Sequence, residues 1–143
     1  MQNKNLPSTI YNQELFIKSL PAQYDGFFDW SFMTGTFPRG IMPMDIDGMV
    51  EMHCQFIIFE TKALMAMIPD GQRYTQQALL KTGRFTVVNI WGDNADEWIM
   101  YTPGGREIAG NGKEELTTNV QAWVKYAESN FDRYGKPLNK AVA

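Results

Sequence analysis

Apolar and polar positions along the chain follow the two periods that strands and helices impose. Residues 45–52 and 55–61 are rich in apolar side chains on either side of a short turn, which predicts two strands in a hairpin. Residues 71–83 carry a helical spacing of apolar and polar positions that ends at a glycine. Residues 85–91 are apolar and β-branched, which is typical of a buried central strand. A strand, a helix and another strand in this order predict that strands 55–61 and 85–91 are parallel.

The remaining segments complete the pattern. An N-terminal helix is predicted before Pro21, which interrupts it. Segments 98–101 and 106–109 flank a Pro-Gly-Gly sequence and predict a hairpin. Residues 114–130 form an amphipathic helix in this interpretation, and the tail from Asp132 is polar and expected to fray. The inward positions of the last helix are Leu116, Val120, Trp123, Val124 and Ala127.

This order of elements predicts an α/β fold in which helices flank both sides of a mixed central sheet. A chain of 143 residues is long enough to bury a core, so we expect a single domain over 1–143, with its core at about 10–130 and a polar C-terminal tail. The apolar runs are too short to span a bilayer, and the start does not resemble a signal peptide. One cysteine, Cys54, indicates a reducing compartment. We therefore expect a cytoplasmic protein without a membrane partner.

Charge and aromatic content leave more than one interpretation open. The net charge of −3 counts against a protein that coats nucleic acid non-specifically, although a local site for a metal ion would need carboxylates. Residues 22–37 contain six aromatic side chains. They are interpreted either as a packed lid over one sheet face or as a platform on which unpaired bases stack.

Two carboxylates and one lysine are predicted to converge at the end of the second strand. Side chains alternate along a strand, so Glu60 and Lys62 point to one face and Thr61 to the other. If the segment with Asp47 pairs with that strand, its carboxylate joins them. Two hard oxygen ligands with room for water suit Mg²⁺ or Mn²⁺, and a neighbouring lysine can orient the attacking water. This is the chemistry of phosphodiester hydrolysis.

The order of these features also carries a family likeness. The apolar strand that ends in Glu60-Thr61-Lys62, the Gly71-Gln72 helix start and the valine-rich strand after Gly83 resemble the PD-(D/E)XK nuclease superfamily. Within it, they look like the VRR-NUC and Holliday-junction resolvase branch. The likeness covers roughly Pro43–Trp91, whereas the last third of the chain matches nothing in that family. It implies a restriction-endonuclease-like fold.

The resemblance implies a metal site. Asp47 and Glu60 would ligate Mg²⁺ (or Mn²⁺), with the backbone carbonyl of Thr61 as a further ligand. Asp45 stands in a Pro-x-Asp context that resembles some family motifs, and it is expected to share a strand face with Asp47. The spacing from Asp47 to Glu60 is closer to that of resolvase-like members. Asp47 is therefore the first choice, and Asp45 remains open as a second-metal or supporting ligand.

The resemblance implies three further site residues. Lys62 would position the attacking water and offset charge on the scissile phosphate. Gln72 would face the site from the following helix and hold a ligand or phosphate oxygen. Glu14, on the first helix, is the candidate for the additional acid that many such enzymes place there, with a solvated helix residue as its alternative.

These features together predict a divalent-metal-dependent DNA endonuclease that acts on structured or branched DNA. The alternative is a catalytically silent nuclease-fold module that binds nucleic acid or a protein partner. A substrate cut on both strands needs two sites, so a homodimer is expected, with the Pro103–Arg106 hairpin and the segment Phe27–Phe37 as candidate surfaces. The small size is typical of a phage-encoded enzyme, which would act in the host cytoplasm.

Overall fold

The computed structural model describes residues 28–139. The chain divides into two compact units between Met44 and Asp45. The predicted N-terminal helix, including Glu14, lies outside the described residues. The prediction of a single domain over 1–143 stays a prediction.

The described part of the first unit, residues 28–44, holds two short 3-10 turns, Ser31–Met33 and Pro38–Gly40. Three aromatic rings contact one another there. The rings of Phe28 and Trp30 lie 4.6 Å apart between centroids, and Trp30 and Phe32 stack at 6.2 Å. Phe32 remains 66% exposed, so these contacts do not amount to a closed core.

The second unit is α/β, as the sequence predicts, and is built on one five-stranded mixed sheet. Its strands and helices lie close to the predicted segments because apolar periodicity and glycine stops coincide with the observed ends. None of the described helices is both long and apolar enough to cross a bilayer. The elements are β1 (Gly48–Met52), β2 (Gln55–Lys62), α1 (Asp70–Lys81), β3 (Phe85–Trp91), β4 (Glu97–Tyr101), β5 (Glu107–Gly110) and α2 (Lys113–Asn130).

The strand order is sequential, from β1 to β5, which places β3 at the centre. β3 is parallel to β2 and antiparallel to β4, and the other pairs are antiparallel. Each residue from Thr86 to Asn89 is at most 3% exposed, so both faces of β3 are buried there. The predicted interior strand and the predicted parallel pairing are both confirmed.

The two helices contact opposite faces of the sheet. On α2, Trp123 belongs to the apolar cluster with Val88 of β3 and Met100 of β4. On α1, Gln76 reaches Asn89, whose side chain points to the other face of β3 because neighbouring strand residues alternate. Helices therefore lie on both sides of the sheet, in agreement with the expectation from the sequence.

The C-terminal segment corrects one expectation. The tail from Asp132 was expected to fray, yet the Asp132 carboxylate accepts hydrogen bonds from the backbone N–H groups of Tyr134 and Lys136, both at 2.9 Å. The preceding Phe131 carbonyl lies 2.8 Å from Nδ1 of His53, in the β1–β2 turn. A side chain that satisfies its own turn, together with this long-range contact, orders residues that look merely polar in sequence.

Candidate active site

Asp47 and Glu60 meet where the β1–β2 ladder ends. Gly48 pairs with Phe59, so Asp47, one residue before β1, lies beside Glu60 of β2. The expectation that Asp45 and Asp47 share a strand face is wrong, since both precede the strand. Asp47 is not part of the backbone pairing between β1 and β2, so its carboxylate can turn toward β2.

The Asp47 carboxylate is held by Thr61. Oδ2 of Asp47 accepts from the Thr61 backbone N–H at 2.8 Å and from the Thr61 hydroxyl at 3.0 Å. A side-chain oxygen thus takes the N–H that a strand carbonyl would otherwise accept, which explains why the ladder stops at Gly48. These contacts assign Thr61 a role as a donor to Asp47. They do not test the implied role of its carbonyl as a metal ligand.

Gln72 joins the two other residues of the site. Its Nε2 donates to Oε2 of Glu60 at 3.2 Å, and its Oε1 accepts from the Lys62 ammonium. Glu60 and Lys62 share a face of β2, as the alternation of strand side chains predicts. One amide at the start of α1 therefore bridges the carboxylate and the ammonium, with its N–H donor on Glu60 and its carbonyl oxygen on Lys62.

Burial and neighbouring charge both act on Glu60. Its residue is only 6% exposed, and this burial is the main reason that the pKa of its carboxyl is raised above the ordinary value. The Asp47 carboxylate raises the pKa further, Lys62 opposes the shift, and Asp45 contributes least. Carboxylates are therefore close together where water has little access, and a bound cation would offset their repulsion.

The donor set fits a hard divalent cation only in part. Within residues 28–139, no group of three or more His, Cys, Asp or Glu side chains is arranged to hold a metal ion. Asp47 and Glu60 offer two adjacent carboxylates, and Mg²⁺ commonly takes one or two of these together with water and phosphate oxygens. Asp45 is close enough to influence Glu60 through its charge. Glu14 lies outside the described residues.

A reciprocal pair of amides lies one helical turn beyond Gln72, and the sequence interpretation missed it. Nε2 of Gln76 donates to Oδ1 of Asn89 at 2.8 Å, and Nδ2 of Asn89 donates back to Oε1 of Gln76 at 3.0 Å. Asn89 is the register partner of Glu60 in the parallel β2–β3 pair. The available signal was an asparagine inside an apolar strand combined with glutamines four residues apart on the preceding helix.

The chain matches no protein-family model, no curated protein and no solved structure. The nuclease resemblance therefore depends on the residues of the chain itself. The geometry brings together Asp47, Glu60, Thr61, Lys62 and Gln72, five of the residues that the sequence analysis selected.

Proposed function

We propose that this protein is a divalent-metal-dependent DNA endonuclease with a restriction-endonuclease-like fold. The observation that carries the proposal is the contact of Gln72 with both Glu60 and Lys62, beside the Asp47 carboxylate. Two acids and an ammonium at one strand end, oriented by an amide, match the needs of phosphodiester hydrolysis. The mixed α/β sheet with a helix on each side supports the proposed fold.

Each residue has a distinct task in this proposal. Asp47 and Glu60 hold Mg²⁺ or Mn²⁺, which supplies Lewis-acid chemistry at a phosphate oxygen when bound. The Lys62 ammonium offsets charge that develops on the phosphate. Gln72 orients Lys62, because its Nε2 contact with Glu60 turns Oε1 toward the ammonium.

Cleavage of labelled DNA tests the proposal directly. Linear, flap and four-way DNA would be incubated with the protein in Mg²⁺, in Mn²⁺ and in EDTA. We expect cleavage of structured DNA with either metal and none in EDTA. Lys62→Ala should abolish cleavage but keep most DNA affinity, because the lysine acts mainly on the transition state. Lys81→Ala, an exposed lysine at the end of α1, is the matched control and should cleave like the wild type.

Asp47→Ala tests the acid pair separately. Cleavage should be lost, because the change removes one of the two adjacent carboxylates that would hold the cation. Wild-type cleavage rates in either Asp47→Ala or Lys62→Ala would remove that residue from the mechanism.

A catalytically silent module that binds nucleic acid or a protein is the second candidate. One observation favours it: the polar groups of the site already satisfy one another, with Asp47 bonded to Thr61, and Lys62 bonded to Gln72. DNA binding by the wild type without cleavage of any substrate in either metal would select this candidate.

A homodimer forms part of the enzyme proposal, because one chain supplies one site and a branched substrate cut on both strands needs two. Light scattering at micromolar concentration, with and without DNA, measures the oligomeric state. A monomer in both conditions would favour nicking of a single strand. If the enzyme is phage-encoded, the place of action is the host cytoplasm.

A further inference from the structure

A cavity of about 570 Å³ lies on the side of the sheet that carries Lys62. Its walls come from the loop after β2, the end of β3, the start of β4 and the end of β5. Small-molecule sites in proteins commonly fall between ~300 and 1,000 Å³, so the cavity has the size of a ligand site. The proposed chemistry at Asp47, Glu60 and Lys62 does not use it.

Trp91 links this cavity to the candidate active site. It is the register partner of Lys62 in the parallel β2–β3 pair, so both side chains leave the same face of the sheet, from strands that lie about 4.8 Å apart. The indole N–H of Trp91 donates to the Ala66 carbonyl at 2.8 Å, which fixes the plane of the ring. A phosphate held at Lys62 would therefore have a fixed aromatic ring within the length of one nucleotide.

Met65 forms another part of the wall and has an unusual conformation. Its side chain is 95% exposed, and its backbone φ of 63° lies in the left-handed region that a methionine seldom adopts. An apolar residue held in this strained form toward solvent gains nothing from core packing. Strain of this kind concentrates at ligand sites, where apolar side chains can wedge against an unstacked base.

The polar residues of the cavity select against a phosphate as its occupant. Of the described residues that line it, none is lysine or arginine, and Glu97 brings a negative charge. Asn111 also lines it, and its Nδ2 already donates to the Asp96 carbonyl at 2.8 Å, which leaves Oδ1 as an acceptor. Acceptors beside an aromatic ring suit a neutral, planar group that carries N–H donors.

We infer that this cavity is a nucleobase subsite, in which an unpaired base lies against Trp91 and Met65 while the phosphate of its strand lies at Lys62. The inference rests on the proposed function and names its substrate class: DNA with an unpaired nucleotide at the cleavage point, as at a flap or a branch. Stacking on an aromatic ring accepts any base, and the Glu97 and Asn111 acceptors favour bases with exocyclic amino groups.

Binding in EDTA separates base recognition from cleavage. The probe is a fluorescein-labelled single-stranded oligonucleotide, compared by anisotropy with an abasic twin that has the same number of phosphates. The wild type should bind the base-bearing strand more tightly. Trp91→Leu should lower that affinity roughly five- to 150-fold and leave the affinity for the abasic strand unchanged, as expected for the loss of one stacked base. Trp91→Phe should retain most of the preference.

Two methionines in the loop after β2 provide a matched comparison that leaves the hydrogen bond between Trp91 and the Ala66 carbonyl in place. Met65→Ala should reduce the preference for the base-bearing strand. Met67→Ala should not, because Met67 is 84% exposed and does not line the cavity. Equal affinity of the wild type for both strands, or an equal loss for both strands in Trp91→Leu, would overturn the inference. If the protein is not a nuclease, the preference for the base-bearing strand in EDTA should persist while no DNA is cleaved in Mg²⁺.

Discussion

The buried amide pair between Gln76 and Asn89 permits a quantitative test of what holds α1 on the sheet. Gln76→Met keeps the side-chain length but leaves both polar ends of the Asn89 amide without a partner at 0% exposure. A buried donor or acceptor without a partner costs ~1–3 kcal/mol, so we expect a loss of about 2–4 kcal/mol in the free energy of unfolding. Asn89→Leu should cost less, about 1–3 kcal/mol, because Gln76 is 8% exposed and can turn toward water.

The double variant is the decisive one. Replacement of both amides by apolar groups of similar shape leaves no orphaned polar atom, so its stability should fall within about 1 kcal/mol of the wild type. The coupling between Gln76 and Asn89, the sum of the single losses less the loss in the double variant, is then about 2–7 kcal/mol, which is high for a contacting pair. Urea unfolding at pH 7, with an unchanged denaturant slope, measures all four proteins. Gln77→Met, an exposed neighbour on α1, is the control and should stay within about 0.5 kcal/mol.

Additive losses would refute the reasoning. If the double variant loses the sum of the single losses, the two amides stabilise the fold through separate contacts and not through each other. A larger loss for Asn89→Leu than for Gln76→Met would also contradict it, because the penalty is argued from the difference in exposure between Asn89 and Gln76.

Two further predictions concern Glu60 and Gly110. Burial and Asp47 raise the folded-state pKa of Glu60, so the stability of the wild type falls as pH rises through that pKa. Glu60→Gln should therefore be more stable than the wild type at pH 7 without metal. Urea unfolding should show that this gain is lost below about pH 4.5. Gly110→Ala should cost about 1–3 kcal/mol in the same assay, because its Cβ would lie 2.2 Å from the buried Trp98 ring, whereas Gly104→Ala, with open space, should stay within about 0.5 kcal/mol.

Local pattern was sufficient to predict the central part of the sheet. β3 could be located because a β-branched run after a glycine stop has few alternatives to a buried strand. Its parallel partner β2 followed from the intervening helix. The convergence of Glu60 and Lys62 on one face followed from strand alternation alone.

Long-range contacts account for what the sequence did not predict. The start of β1 depends on Asp47, whose carboxylate takes the Thr61 N–H fourteen residues away and so ends the ladder. The order of the C-terminal segment depends on Asp132 and on the contact between Phe131 and His53, 78 residues apart. Neither contact leaves a period in the chain, because each is made by one side chain with a distant backbone group.

The buried amide pair and the site bridge are successive contacts of one helix with one strand pair. Gln72 and Gln76 are one turn apart on α1, and their partners Glu60 and Asn89 are register neighbours on β2 and β3. Gln76 and Asn89 form the inner contact; both are buried, and they hold α1 on the sheet. The Gln72 amide is half-buried and makes one hydrogen bond each to Glu60 and Lys62. In the proposed enzyme, a cation or a phosphate oxygen would replace these bonds. This buried inner contact would keep α1 in place in the proposed enzyme while the Gln72 amide exchanges its partners for a cation or a phosphate.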